Sequence, residues 1–233
     1  SGKTALVRYF TELKSKSNSK PMSLKGYPWA VHAERIDKGA SEIEAYVSSW
    51  RYIIGTQFAS LLLSTLDDLT STNASSLVQF LKDNYGSINP TIDDILRPKS
   101  LKLSKLSFEP TVLGNKLGGV ALEREPKDLS LGMELNALTD SILQAVIELA
   151  SVSGNNKLSI HFDELDQGLL TLDTTRKAMI IGLILAVRSI HNESRKLSSL
   201  IFPIVYLRTD LWDELAFSDK NKITLSLLQF IFQ

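Results

Sequence analysis

The chain has 233 residues, 43% of them apolar and 22% charged, with 12 glycines and 7 prolines. That balance excludes a disordered or collagen-like polymer, and at this length folding can bury about 75% of the surface of the unfolded chain. Lysine and arginine together number 26 and so do aspartate and glutamate, so no global field draws nucleic acid or an anionic membrane; the absence of cysteine rules out disulfides, thiol catalysis and cysteine-type zinc sites.

The elements follow in chain order. Leu6, Val7, Phe10 and Leu13 recur at helical spacing, which predicts a helix over Thr4–Leu13. Lys14–Gly26 is rich in serine, lysine and asparagine, contains Pro21, and is expected as a surface loop; the apolar stretch Tyr27–Ala33 is expected as a short strand. Ile43, Val47, Trp50, Ile54, Phe58 and Leu61 mark a long amphipathic helix over Ser41–Leu66. Asp67–Ser76 reads as a polar loop, Leu77–Tyr85 as a helix stopped by Gly86, and Ile92–Leu96 as one helical turn.

Between Leu101 and Glu125 the apolar period falls to two around the glycines from Gly114 to Gly119, which predicts a β-hairpin inserted within residues 86–134. Helical spacing returns from Leu135 to Gly154. Leu158–Phe162 is expected as a strand, Thr174–Lys196 as a helix, Leu200–Leu207 as a strand and Leu211 onwards as a short helix. Pro203 is expected at the strand's start, since proline inside a central strand removes a ladder hydrogen bond. Strands alternating with helices point to an α/β fold with a mostly parallel sheet.

Three segments could carry chemistry. Ser1-Gly2-Lys3-Thr4 matches the second half of the phosphate-binding loop G-x-x-x-x-G-K-[ST] and opens directly into a helix. In such a loop backbone N–H groups surround the phosphates, the lysine reaches the β and γ phosphates, and the hydroxyl holds magnesium. The first glycine and the strand feeding the loop would then precede Ser1, so the chain is expected to be a segment of a longer one.

The second segment, Leu158–Asp166, is an apolar strand ending in Asp163-Glu164. Two adjacent carboxylates at the carboxyl end of a sheet suit a Walker B role, with Asp163 holding hydrated Mg2+ and Glu164 orienting or deprotonating the attacking water. His161 interrupts the apolar strand and is expected to be a hydrogen-bonded histidine on a sheet face rather than a ligand. In the third segment, Ile204–Asp210, a strand ends in Arg208, whose guanidinium suits a γ-phosphate sensor unless it pairs with Asp210 or Asp213.

Together these segments resemble the P-loop ATPases with an additional strand and a catalytic glutamate, the AAA and STAND-like class. With Trp50-Arg51-Tyr52-Ile53-Ile54, the blocks Ile160–Asp166 and Tyr206–Leu211 look like a bacterial family of P-loop ATPases. The resemblance implies a three-layer nucleotide-binding domain over residues 1–233, with ATP and Mg2+ as cofactors and hydrolysis that depends on a homo-oligomer. It also implies linkage to an effector domain or protein partner, frequently in antiviral defence.

The site residues expected on this basis are Ser1, Gly2, Lys3 and Thr4 for nucleotide, Thr4 and Asp163 for metal, and Glu164 and Arg208 for catalysis. The alternatives are a non-hydrolysing scaffold that binds a partner through Ser41–Leu66 and the hairpin, and a DNA-loading AAA ATPase, for whose winged-helix module the sequence shows nothing. Arg97, Lys99, Lys102 and Lys105 form a local basic cluster, read as a solvated hairpin edge in preference to a nucleic-acid contact. No secretory signal is visible, and the longest apolar run, Ala178–Val187, is about half a bilayer span. A cytoplasmic protein with no membrane partner is the expectation.

Overall fold

The computed structural model describes residues 2–14, 18–34, 41–98, 101–102, 123–124, 132–154, 157–165, 173–197, 200–218 and 220–223. The fold is mixed α/β. Strands β1 (Ser19–Ser23), β4 (Leu158–Asp163) and β5 (Ile201–Val205) form a parallel three-stranded sheet in the order β1-β4-β5. Two further strands, β2 (Leu101–Lys102) and β3 (Glu123–Arg124), pair antiparallel, as a hairpin over this stretch requires. Residues 103–122 of that hairpin lie outside the described residues, as do Ser1 and Asp166.

The helices are α1 (Gly2–Arg8), which continues as a π-helical segment over Tyr9–Lys14, α2 (Trp29–Glu34), α3 (Glu42–Leu63) and α4 (Thr72–Tyr85). After them come α5 (Ile92–Leu96), α6 (Gly132–Val152), α7 (Thr174–Leu197) and α8 (Thr209–Glu214). Their ends follow local chemistry. Ser41 accepts from the Glu44 N–H at the start of α3, Ser71 from the Ala74 N–H at the start of α4, and Thr91 and Asp94 form a reciprocal capping box on α5. Gly86 closes α4 in the left-handed conformation, φ 75°, where only glycine avoids a Cβ penalty.

Two expectations fail in the same place. Tyr27–Ala33 is not a strand: Trp29–Glu34 is helical, and Pro28 supplies the carbonyl that accepts the His32 N–H. A short apolar run does not by itself distinguish a buried strand from a helix turn. The strand lies instead at Ser19–Ser23, inside the expected loop, where pairing with β4 overrides the polar composition. Residues 72–76, expected as loop, form the first turns of α4.

Pro203 sits in the middle of β5, not at its start. The bonds from Leu158 N–H to Leu200 O and from Tyr206 N–H to Phe162 O turn the even-numbered residues of β5 towards β4, so Pro203 faces the outer edge and costs no bond to β4. The bonds from Ser159 N–H to Asn18 O and from Leu24 N–H to Asp163 O place Pro21 outward on β1 in the same way.

Helices cover both faces of the sheet: α1 packs on β4 from one side, while α3 and α7 lie on the other. From Trp50 to Leu63 every residue of α3 is buried, because α6 and α4 enclose its outer side. The expected solvent face is therefore confined to the first turns of α3. Trp50 is fully buried and donates from Nε1 to Met179 O at 2.9 Å, pinning α3 to α7. The two helices approach closely at Gly182, where a Cβ would stand 2.5 Å from the Cβ of Tyr46. Within α6, Leu135–Val152 is apolar and long enough to span a bilayer by composition alone, but half of that window is buried inside the fold.

Candidate active site at the carboxyl end of the sheet

Parallel pairing fixes where the chemistry gathers. In β4 the side chains of Ser159, His161 and Asp163 alternate onto the α1 side, and those of Leu158, Ile160 and Phe162 onto the side of α3 and α7, where Phe162 meets the Trp50 ring edge-on at 6.2 Å. Asp163 ends β4 and is 7% exposed. Its Oδ2 accepts a hydrogen bond from Thr4 Oγ1 at 3.2 Å, across 159 residues of sequence.

Glu164 follows with φ 63°, the one non-glycine in the left-handed region among the described residues. That conformation costs a residue with a Cβ roughly 1–2 kcal/mol, and such strain concentrates at functional positions. Its carboxylate Oε2 accepts from Ser23 Oγ, whose oxygen in turn accepts from the Lys25 N–H at 3.1 Å. Ser23 ends β1 directly opposite Asp163. A hydroxyl, two carboxylates and a serine from three elements thus meet at the carboxyl end of the sheet.

Of the expected site residues, Thr4, Asp163 and Glu164 are brought together. Gly2 and Lys3 lie in the first turn of α1, on the same helix as Thr4. Arg208 is the N-cap residue of α8, just beyond β5. Its side chain is about half exposed and grips Asp210, from Nε to Oδ1 at 3.0 Å and from Nη2 to Oδ2. Hydrogen bonding from Arg208, and from the Leu211 N–H, holds the Asp210 carboxyl below the usual range. This is the pairing that the sequence offered as the alternative to a phosphate sensor.

His161 is a hydrogen-bonded sheet histidine, as expected. It is 1% exposed, shares Nε2 with Ser159 Oγ and Nδ1 with Tyr206 OH, each at 2.9 Å, and lies against the Phe10 ring at 5.7 Å. Burial pushes its imidazole below the ordinary histidine range. Burial, and then the charge of Asp163, push the Tyr206 phenol up.

Sequence reasoning missed Ser23 and Tyr206. Ser23 lies in a stretch with no strand signal, and Tyr206 becomes visible only once the parity of β5 against β4 is known. Away from these residues a concavity of about 640 Å³ opens between α3, α6 and α7 around Arg51. There Arg51 binds Asp140 at 2.5 Å, Glu193 at 2.6 Å and Ser189 at 2.6 Å, fastening the three helices to one another.

No protein-family model, curated protein or solved structure matches this chain.

Proposed function

We propose that the protein binds ATP with Mg2+ at the carboxyl end of the β1-β4-β5 sheet and hydrolyses it slowly, as a switch that controls assembly or an attached effector. The observation that carries this reading is the hydrogen bond between Thr4 and Asp163. In a phosphate loop followed by a Walker B strand, these are the two side chains that share the metal, and nothing nearer in sequence than 159 residues brings them together.

The donor set also fits the ion. A hydroxyl and a carboxylate on adjacent elements are hard oxygen ligands, and Mg2+ takes one or two protein groups while retaining water and phosphate oxygens. When bound, the ion would neutralise charge on the β and γ phosphates. Thr4 and Asp163 would hold it, Lys3 would bring an ammonium to the phosphates, and Glu164 would orient the water.

The test is calorimetric titration of the protein with ATP and Mg2+. Lys3→Ala is expected to abolish ATP binding, because the ammonium is the main neutralising charge of the loop. Asp163→Asn is expected to leave weak ATP binding that no longer responds to Mg2+. Unchanged affinity in both variants would overturn the reading.

A further inference from the structure

The two faces of the sheet differ in chemistry. The face towards α3 and α7 carries Met22, Leu24, Leu158, Ile160, Phe162 and Ile201, all buried. The face under α1 carries a continuous polar chain from one edge strand to the other. Ser19 Oγ meets Ser159 Oγ at 2.7 Å, Ser159 Oγ meets His161 Nε2 at 2.9 Å, and His161 Nδ1 meets Tyr206 OH at 2.9 Å. Apolar residues could fill this space without needing a partner for every polar atom, so a partly buried chain of this kind is a constraint on position more than a source of stability.

The chain ends beside Asp163. Tyr206 is the first residue after β5, and it holds β4 twice: its N–H donates to Phe162 O at 2.9 Å and its hydroxyl bonds the His161 ring. From the other side, the Leu24 N–H donates to Asp163 O at 2.9 Å. The main chain that carries Asp163 is therefore held from β1 at its own carbonyl and from β5 at the neighbouring Phe162 and His161. Arg208, two residues beyond Tyr206, turns to Asp210 instead.

We infer that Tyr206 is a positioning residue for Asp163, setting through His161 the place of the carboxylate against Thr4. The inference rests on the metal-nucleotide reading above. A magnesium site needs near-ideal placement of its few protein oxygens, and groups that orient a ligand from behind typically carry 10–100-fold in metal affinity.

Tyr206→Phe keeps the ring and the backbone bond and removes only the hydroxyl. The Mg2+ concentration for half-maximal ATP binding is expected to rise about tenfold, while ATP affinity measured in excess chelator stays unchanged. A merely structural role would lower the melting temperature and leave the metal requirement alone. The double variant Tyr206→Phe with His161→Phe is expected to cost the metal requirement no more than the larger single effect, because both act along one chain.

Amide hydrogen exchange at Leu24 supplies a readout that needs no nucleotide. It is expected to quicken in Tyr206→Phe, since that N–H reports the hold on Asp163. An unchanged metal requirement overturns the inference, whether or not the exchange quickens. If the wild-type protein binds no nucleotide at all, the proposed function fails, and the exchange measurement alone decides whether Tyr206 positions Asp163.

Discussion

Ser23 and Glu164, separated by 141 residues in sequence, are joined by a hydrogen bond from the serine hydroxyl to the glutamate carboxylate. One oxygen of the group proposed to orient water is therefore already engaged, and the backbone beneath it is held at φ 63°. Glu164→Gln is expected to retain ATP and Mg2+ while slowing hydrolysis by about a hundredfold or more, the usual worth of a positioned base. Ser23→Ala releases the oxygen and is expected to raise turnover with binding unchanged. Steady-state phosphate release beside calorimetric affinity checks both, and wild-type turnover in Glu164→Gln would leave the glutamate a structural residue.

Arg208 provides a sharper division. If its guanidinium leaves Asp210 for the γ phosphate, Arg208→Ala weakens ATP much more than ADP, by about ten- to hundredfold for one charge-assisted bond. Asp210→Asn, which loosens the competing grip, is expected to strengthen ATP relative to ADP. Measuring both nucleotides on both variants decides the matter, and a constant ATP-to-ADP ratio removes Arg208 from the site.

Acid stability should turn on His32. Its ring is fully buried, bonded to Tyr27 OH at 2.8 Å and Ser49 Oγ at 2.7 Å, and burial pushes its pKa down to about 3. Below the unfolded value of about 6.5 the unfolded chain binds a proton that the folded chain refuses. Stability is then complete above that pH and falls as pH drops towards 3, by about 2 kcal/mol at pH 5. Urea melts from pH 7 to pH 5 on the wild type and on His32→Gln test this, since the variant should lessen the slope and leave the part due to His161 and His191, which burial also pushes down.

The helix pair beneath the sheet depends on one missing methyl. A Cβ on residue 182 would lie 2.5 Å from Tyr46 Cβ and 3.1 Å from its carbonyl carbon, and neither is the free end of a flexible side chain. Gly182→Ala is expected to destabilise by about 1–3 kcal/mol despite the better helix propensity of alanine. Gly55→Ala, whose nearest contact is the Leu143 side chain at 3.4 Å, should be close to neutral. Denaturant midpoints on the pair separate a steric contact from a general intolerance of alanine.

The long helices were legible because Ile43 to Leu61, Leu135 to Leu149 and Thr174 to Lys196 each carry a period that only a helix satisfies. β4 and β5 were legible as apolar runs ending in polar residues. β1 was not, since Ser-Lys-Pro-Met-Ser has no strand composition and is a strand only because β4 lies beside it. Among the site residues, Thr4, Asp163 and Glu164 follow from local motifs. Ser23 and Tyr206 enter through register across the sheet, which residue types along a single segment do not encode.

Pro21 and Pro203 bear on what the protein does in a crowded solution. Each takes the place of an amide that would otherwise point outward from an edge strand of the three-stranded sheet, and next to Pro203 the Ile201 N–H is already engaged by Ser194 Oγ at 3.3 Å. Among the described residues each proline leaves a gap in the outward row of donors on its strand, so any strand that pairs along that edge does without one bond. Replacing either proline with valine would restore the row, and the gain would appear as faster aggregation during refolding at high concentration.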